Sequence, residues 1–83
     1  MAERQIMRTL IVETPAGPGN FAKVATAIGN AMGDIGYIKT IIITTLSTVR
    51  DISVYCGSEQ ILEDVVEAVR SIGEGILVHA VSD

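Results

Sequence analysis

Apolar residues recur along the chain at two spacings, one typical of helices and one typical of strands. Positions separated by three and four residues share one face of a helix, and this spacing occurs in two segments. The first set is Phe21, Val24, Ala25, Ile28, Ala31 and Met32, and the second is Ile61, Leu62, Val65, Val66, Val69 and Ile72. The pattern therefore predicts two amphipathic helices.

Residues that favour turns and helix caps lie at the ends of both predicted helices. Gly19 or Asn20 suits the start of the first helix, and Gly33 suits the left-handed position that follows a helix end. Ser58 suits the cap of the second helix, which the glycines of the segment 73–75 bring to an end.

Four segments have the composition of β-strands. They are rich in β-branched residues or alternate between apolar and polar positions, and they cover Gln5–Glu13, Tyr37–Leu46, Val49–Cys56 and Ile76–Ser82. Ser47 and Thr48 are predicted to reverse the chain between the middle two strands. The element order is therefore β-α-β-β-α-β, the split βαβ arrangement.

This order predicts an α+β, ferredoxin-like fold. A right-handed crossover through the first helix makes the first two strands parallel to each other. The third strand then fits between them and the fourth lies outside the first, which gives a four-stranded antiparallel sheet of order 4-1-3-2 with both helices on one face. The 83 residues fill this architecture, so we interpret 1–83 as a single domain.

The second strand of this sheet is an edge, and it is long and apolar, with one lysine and no proline. Natural proteins protect such edges with charge, proline or bulges, because free backbone groups pair with another strand. A chain of 83 residues leaves no spare loop to cover this edge. We therefore predict a homodimer in which two copies pair edge to edge.

Composition excludes several functional classes. The hydrophobic content of 48% excludes disorder, and the apolar stretches are broken before the ~20 residues that a membrane span needs. The net charge of −4 and the scarcity of aromatic residues argue against a nucleic-acid partner. A single cysteine and the lack of a secretion signal favour the cytoplasm. We expect neither a nucleic acid nor a membrane as a partner.

A glycine motif at the start of the first helix is the first candidate for chemistry. Gly17-x-Gly19-x-x-Ala22 has the form of a dinucleotide-binding fingerprint. The next strand ends without the acidic residue that would hold the ribose, so we interpret the motif as a tight strand-to-helix turn. Its free backbone N–H groups at a helix start still attract an anion such as a carboxylate.

Cys56 and His79 form the one thiol–imidazole combination in the sequence. Alternation along their strands points the two side chains to opposite faces of the sheet. No second histidine or cysteine supplies a metal site of usual spacing. We therefore predict no catalytic residue, no metal and no cofactor.

Three charged residues near strand ends leave their roles open. Arg50 and Asp51 are adjacent on one strand, where surface charge or a contact at a hairpin end is the usual outcome. Asp34 stands before the second strand, either near the Gly17–Gly19 turn or across the first helix from it, depending on strand lengths.

The segment from Glu13 to Val24 reads Glu-Thr-Pro-Ala-Gly-Pro-Gly-Asn-Phe-Ala-Lys-Val, and the helix that follows ends at Gly33-Asp34-Ile35. Together with the βαββαβ order, this resembles the ACT domain over the whole chain. The resemblance implies a regulatory module that binds an amino acid or a similar small molecule where two copies meet side by side.

The same resemblance implies which residues contact a ligand. They are Pro18, Gly19, Asn20, Phe21, Asp34 and Ile35. Two positions depart from the family pattern: Ala16 replaces a polar residue of amino-acid-binding members, and Asp34 replaces an asparagine. An acid at position 34 would repel a ligand carboxylate and accept an amine.

Three further segments, Thr48–Val54, Glu63–Arg70 and Gly75–Asp83, look like the N-terminal ACT segment of bacterial malic enzymes, the oxaloacetate-decarboxylating malate dehydrogenases. The resemblance implies a non-catalytic allosteric and dimerisation module of an NAD(P)-dependent enzyme, with the parent catalytic domain after Asp83. The alternative is a ligand-free dimerisation or interaction module.

Overall fold

Within residues 5–83, two helices and four strands follow one another in the predicted β-α-β-β-α-β order. The computed structural model describes residues 5–83, with β1 (Ile6–Pro15), α1 (Asn20–Asn30), β2 (Asp34–Ile43), β3 (Ser47–Cys56), α2 (Glu59–Arg70) and β4 (Leu77–Ser82). All neighbouring strands are antiparallel, and their order across the sheet is β2-β3-β1-β4. This is the predicted 4-1-3-2 order read from the other side, so the ferredoxin-like α+β fold is confirmed.

The core lies between the two helices and one face of the sheet. Alternation along β1 and β3 turns Leu10, Val12, Ile52, Val54 and Cys56 toward the helices, where all five are buried. The helices contribute buried side chains to the same core: Val24 and Ile28 from α1, and Leu62, Val65 and Val69 from α2. Each buried side chain of this size contributes about 1.5–3 kcal/mol, so these two stripes hold the helices on the sheet.

The other side of the sheet, here called the open face, has its own packing where β2 bulges against β3. The register of β2 on β3 shifts between Ile35 and Ile38. In the bulge, the backbone N–H of Tyr37 donates to the Ser53 hydroxyl at 2.7 Å. Gly36 makes room for the ring of Tyr55, because a Cβ there would lie 2.6 Å from a ring carbon. Ser53 is consequently buried although it lies on the open face.

The end of α1 differs from the prediction by one residue. Met32, with φ of 74°, takes the left-handed position. The N–H of Met32 donates to the carbonyl of Gly29 at 3.0 Å, and the N–H of Gly33 donates to that of Ile28 at 2.8 Å, which is a Schellman motif. The assignment of the left-handed position to Gly33 is therefore wrong.

Lack of space explains the glycine at position 33. A Cβ on Gly33 would lie 2.8 Å from a methyl of Ile28, 2.9 Å from one of Val65 and 3.0 Å from one of Val54. The backbone of Gly33 thus touches side chains from α1, α2 and β3 at once. The residue is a glycine because of tertiary packing, not because of its backbone angle.

The hairpin between β2 and β3 turns earlier than predicted. The N–H groups of Leu46 and Ser47 donate to the Thr44 hydroxyl at 3.1 and 3.0 Å, so the turn covers 44–46 and Ser47 already belongs to β3. The predicted reversal at Ser47 and Thr48 is wrong, because the hydroxyl of Thr44 satisfies the turn before them. The predicted cap of α2 is confirmed, since the Ser58 hydroxyl accepts from the N–H of Ile61 at 3.2 Å.

The free edge of β2 is exposed along nearly its whole length. Every residue of β2 except Ile35 is exposed, including Ile38, Ile41, Ile42 and Ile43, which are 45–73% accessible. An apolar strand of this kind offers unpaired backbone groups to another strand. The exposed edge is confirmed, and the dimer inferred from it stays a prediction. No helix in residues 5–83 is long and apolar enough to cross a membrane.

Candidate functional site

The turn between β1 and α1 is held closed by a side chain of the helix itself. The amide of Asn20 donates to the carbonyl of Pro15 at 3.0 Å and to that of Ala16 at 3.4 Å. Gly19 precedes the helix in the left-handed region, with φ of 87°, and no side chain caps the first turn. No acidic residue lies in that turn either. The N-terminal end of α1 therefore keeps its partial positive charge.

Arg50 adds a full positive charge beside this end of α1. Its guanidinium lies 4.7 Å from the centre of the Phe21 ring and donates to the hydroxyl of Thr14 at 3.0 Å. Thr14 is 2% exposed, so the hydrogen bond fixes the direction of the guanidinium. The interaction with the ring and the hydroxyl leaves other N–H groups of the guanidinium free to bind an anion.

Arg50 was not among the predicted ligand contacts, although its position along β3 contained the necessary information. It has the same parity as Ile52 and Val54, which places it on the helix face of the sheet. The residue lies opposite Val12 in the β1–β3 register. What alternation does not give is the contact with Phe21, because that depends on where α1 starts.

The six predicted ligand contacts lie in two groups within one chain. Pro18, Gly19, Asn20 and Phe21 lie at the N-terminal end of α1, whereas Asp34 and Ile35 follow its C-terminal end. An 11-residue helix is about 16 Å long. Of the two placements left open by the sequence, the structure thus puts Asp34 away from the Gly17–Gly19 turn. A single copy does not bring these residues together.

Glu13 and His79 interact on the open face. A ring nitrogen of His79 lies 2.7 Å from a carboxylate oxygen of Glu13, next to the register shift of β4 on β1. The hydrogen bond from the His79 ring, assisted by that of Ser47, holds the pKa of Glu13 below its ordinary value. The contact therefore ties β4 to β1 while Glu13 is ionised.

This lowered pKa predicts how stability changes with pH. Because the folded state favours ionised Glu13, its contribution is present above the unfolded pKa and is lost as the pH falls through the lower, folded pKa. We therefore expect the melting temperature of the native chain to fall more between pH 7 and pH 3 than that of His79→Ala. Equal pH dependence in the two proteins would contradict the role of His79, and Glu13→Gln serves as the matched control.

Cys56 and His79 lie far apart. Cys56 stands opposite Ile6 at one end of β1, whereas His79 contacts Glu13, seven residues further along the same strand. Seven residues of a strand span about 24 Å. Burial also raises the pKa of the Cys56 thiol, which disfavours the reactive thiolate. The two residues do not form a catalytic pair.

A shallow groove of about 450 Å³ runs along α1, lined by Ala22, Lys23, Thr26, Ala27 and Asn30. None of the six predicted ligand contacts lines it, and the ammonium of Lys23 is paired with Glu74. Within residues 5–83, no three side chains of histidine, cysteine, aspartate or glutamate cluster to hold a metal ion.

The sequence of this chain matches part of a longer known protein. No family model matches the chain. The chain is 46% identical, over all 83 of its residues, to NAD-dependent malic enzyme 1 of Bacillus subtilis (strain 168). The matching segment is the N-terminal part of that protein, of whose length the chain spans 19%. The predicted similarity to a bacterial malic enzyme is confirmed, and membership of the ACT family stays a prediction.

Proposed function

We propose that this chain is the non-catalytic regulatory domain of an NAD(P)-dependent malic enzyme. The observation that carries the proposal is the 46% identity that extends over the whole chain to the N-terminal part of a malic enzyme. Burial of Cys56 and its distance from His79 support a role without catalysis. The domain then acts on the parent enzyme through what it binds and how it assembles.

The proposed assembly is a dimer formed through β2. The exposed edge offers ten residues of backbone to a second copy, and a two-fold axis perpendicular to the sheet pairs the two β2 strands antiparallel. The product is one continuous sheet with α1 of each copy beside the join. Pairing removes the outward-facing backbone groups of both β2 strands from water in a single contact.

Such pairing unites the two groups of predicted ligand contacts. The hairpin end of β2 lies at the same end of the sheet as the turn before α1, because the N–H of Ala16 donates to the carbonyl of Leu46 at 2.9 Å. Antiparallel pairing sets the start of the partner's β2 beside this end. The partner's Asp34 then approaches the Gly19 turn, so each dimer has two composite sites.

The chemistry of a composite site suits a small amphoteric molecule such as an amino acid. The free N–H groups at the start of α1 and the guanidinium of Arg50 bind a carboxylate. The carboxylate of the partner's Asp34 accepts the amine. A ligand that needs both copies binds the dimer and not the monomer, so it shifts the equilibrium toward the dimer.

Calorimetric titration of the chain with each of the twenty amino acids tests this site. We expect at least one to bind, and Arg50→Ala to weaken that binding by about tenfold or more, because a charge-assisted hydrogen bond is lost. Arg70→Ala is the matched control, since Arg70 lies in the last turn of α2; it is expected to bind normally. Failure of all twenty to bind would contradict the ligand role and leave the alternative function.

The alternative is a dimerisation module that binds no ligand. One observation favours it: the Asn20 amide already occupies the carbonyls of the turn, and Ala16 brings no polar side chain to it. In that case the exposed edge of β2 alone carries the function, and regulation comes from assembly of the parent enzyme.

A further inference from the structure

Three side chains are the most exposed of all the large apolar side chains in the described residues. Leu46 is 81% exposed, and Met32 and Ile43 are each 73% exposed. Ile43 and Leu46 lie at the hairpin end of β2, whereas Met32 lies just before the opposite end of β2. One copy therefore carries an exposed apolar group at each end of the same edge strand.

The backbone of Met32 makes its exposure more unusual. The residue occupies the left-handed position after α1, with φ of 74°, where glycine or asparagine is usual because a Cβ is disfavoured there. The left-handed conformation closes the Schellman motif at the end of α1, which a glycine would do without the cost of a Cβ, and the exposed side chain contributes little to the isolated fold. A contact outside the single chain would account for a methionine at this position, and the flexible thioether suits an irregular apolar contact.

We infer that Met32 packs, in the dimer, against the partner's Ile43 and the partner's Leu46. The inference rests on the proposed pairing of β2. A two-fold axis brings the start of one β2 against the end of the other, so the two kinds of exposed group meet twice in each dimer. A second copy is the fitting occupant because each chain supplies both halves of the contact at the spacing of its own ten-residue strand.

Replacement of Met32 by glycine distinguishes an effect on the fold from an effect on assembly, because it is expected to stabilise the monomer and to weaken the dimer. At a concentration where the chain is monomeric, Met32→Gly is expected to raise the melting temperature by about 4 °C, because the left-handed strain is removed. Sedimentation equilibrium is expected to show a dimer dissociation constant at least about tenfold higher, because the apolar contact is lost at both ends of the paired strands.

Glu74→Gly is the matched control. Glu74 also has a positive φ, of 57°, and is exposed, but it lies in the connection between α2 and β4, and β4 pairs with β1 and not with β2. Its carboxylate pairs with Lys23, and loss of such an exposed ion pair costs little stability. Because removal of the backbone strain offsets the loss of this ion pair, Glu74→Gly is expected to melt at or above the temperature of the native chain, with an unchanged dissociation constant. Met32→Leu keeps an apolar side chain and is expected to keep the dimer.

The outcomes distinguish this inference from the pairing on which it rests. If Met32→Gly leaves the dissociation constant unchanged while a charge in the middle of β2 raises it, the pairing stands and the Met32 contact is wrong. If neither substitution changes the constant, or the native chain is a monomer at tens of micromolar, the β2 pairing itself is wrong. If Met32→Gly and the charge in β2 each raise the dissociation constant while Glu74→Gly does not, the β2 pairing and the Met32 contact are both supported.

Discussion

Ile41→Lys is expected to convert the dimer to a monomer at tens of micromolar. Ile41 is 47% exposed and falls in the register shift between Thr40 and Ile42, where it has no partner in β3, so the isolated fold tolerates the change. In the paired sheet each copy would place a new ammonium near the join, in addition to Lys39. Lysine at a strand edge opposes pairing with another strand, and like charges that face each other across the join repel. We therefore expect the dissociation constant to rise by about 100-fold or more, which corresponds to ~3 kcal/mol.

The opposite edge of the sheet supplies the control. Leu77 is 50% exposed and begins β4, so Leu77→Lys adds the same charge at a similarly exposed position. Sedimentation velocity is expected to show a dimer for this variant and for the native chain, with a monomer for Ile41→Lys alone. A dimer that survives Ile41→Lys but not Leu77→Lys would move the interface to β4 and contradict the proposed assembly.

Local pattern determined most of the fold. The helical stripes and the alternating strands depend on which residues one element turns toward the core, and that information lies within a few residues of sequence. The same holds for the cap at Ser58, whose hydroxyl needs only a helix three residues ahead. These features are predicted correctly because no distant residue takes part in them.

The predictions are wrong where residues distant in sequence determine the local structure. The sequence shows a glycine at 33 near a helix end, and the left-handed position is its commonest use there. Its true constraint comes from Val54 and Val65, which lie more than 20 residues away in sequence. Met32, which carries the unusual backbone angle, has no local signal at all.

The candidate site shows the same division. The turn around Gly19 is predicted because its glycines and prolines act locally. The separation of Asp34 from that turn depends on the length of α1, and the contact of Arg50 with Phe21 depends on how α1 crosses β3. If the proposed pairing is correct, the site is complete only across two copies, which no pattern within one chain reveals.

Gly33→Ala is expected to destabilise the fold strongly. The added methyl would lie 2.8–3.0 Å from methyl groups of Ile28, Val54 and Val65, and all three are fully buried. Because close-packed side chains of this kind cannot move aside without strain, we expect the free energy of unfolding to fall by about 2–3 kcal/mol. For a chain of this size, that corresponds to a melting temperature lower by about 10–20 °C.

Gly29→Ala makes the same chemical change one helical turn earlier with the opposite expected result. Gly29 lies within α1, and a Cβ there would have no neighbour within 4 Å. Alanine favours the helix over glycine by roughly 0.5–1 kcal/mol, so this variant is expected to melt at a higher temperature than the native chain. Thermal unfolding followed by circular dichroism compares the two variants directly. Similar melting temperatures for both would show that the space around Gly33 does not constrain the fold, and would leave its glycine without an explanation from packing.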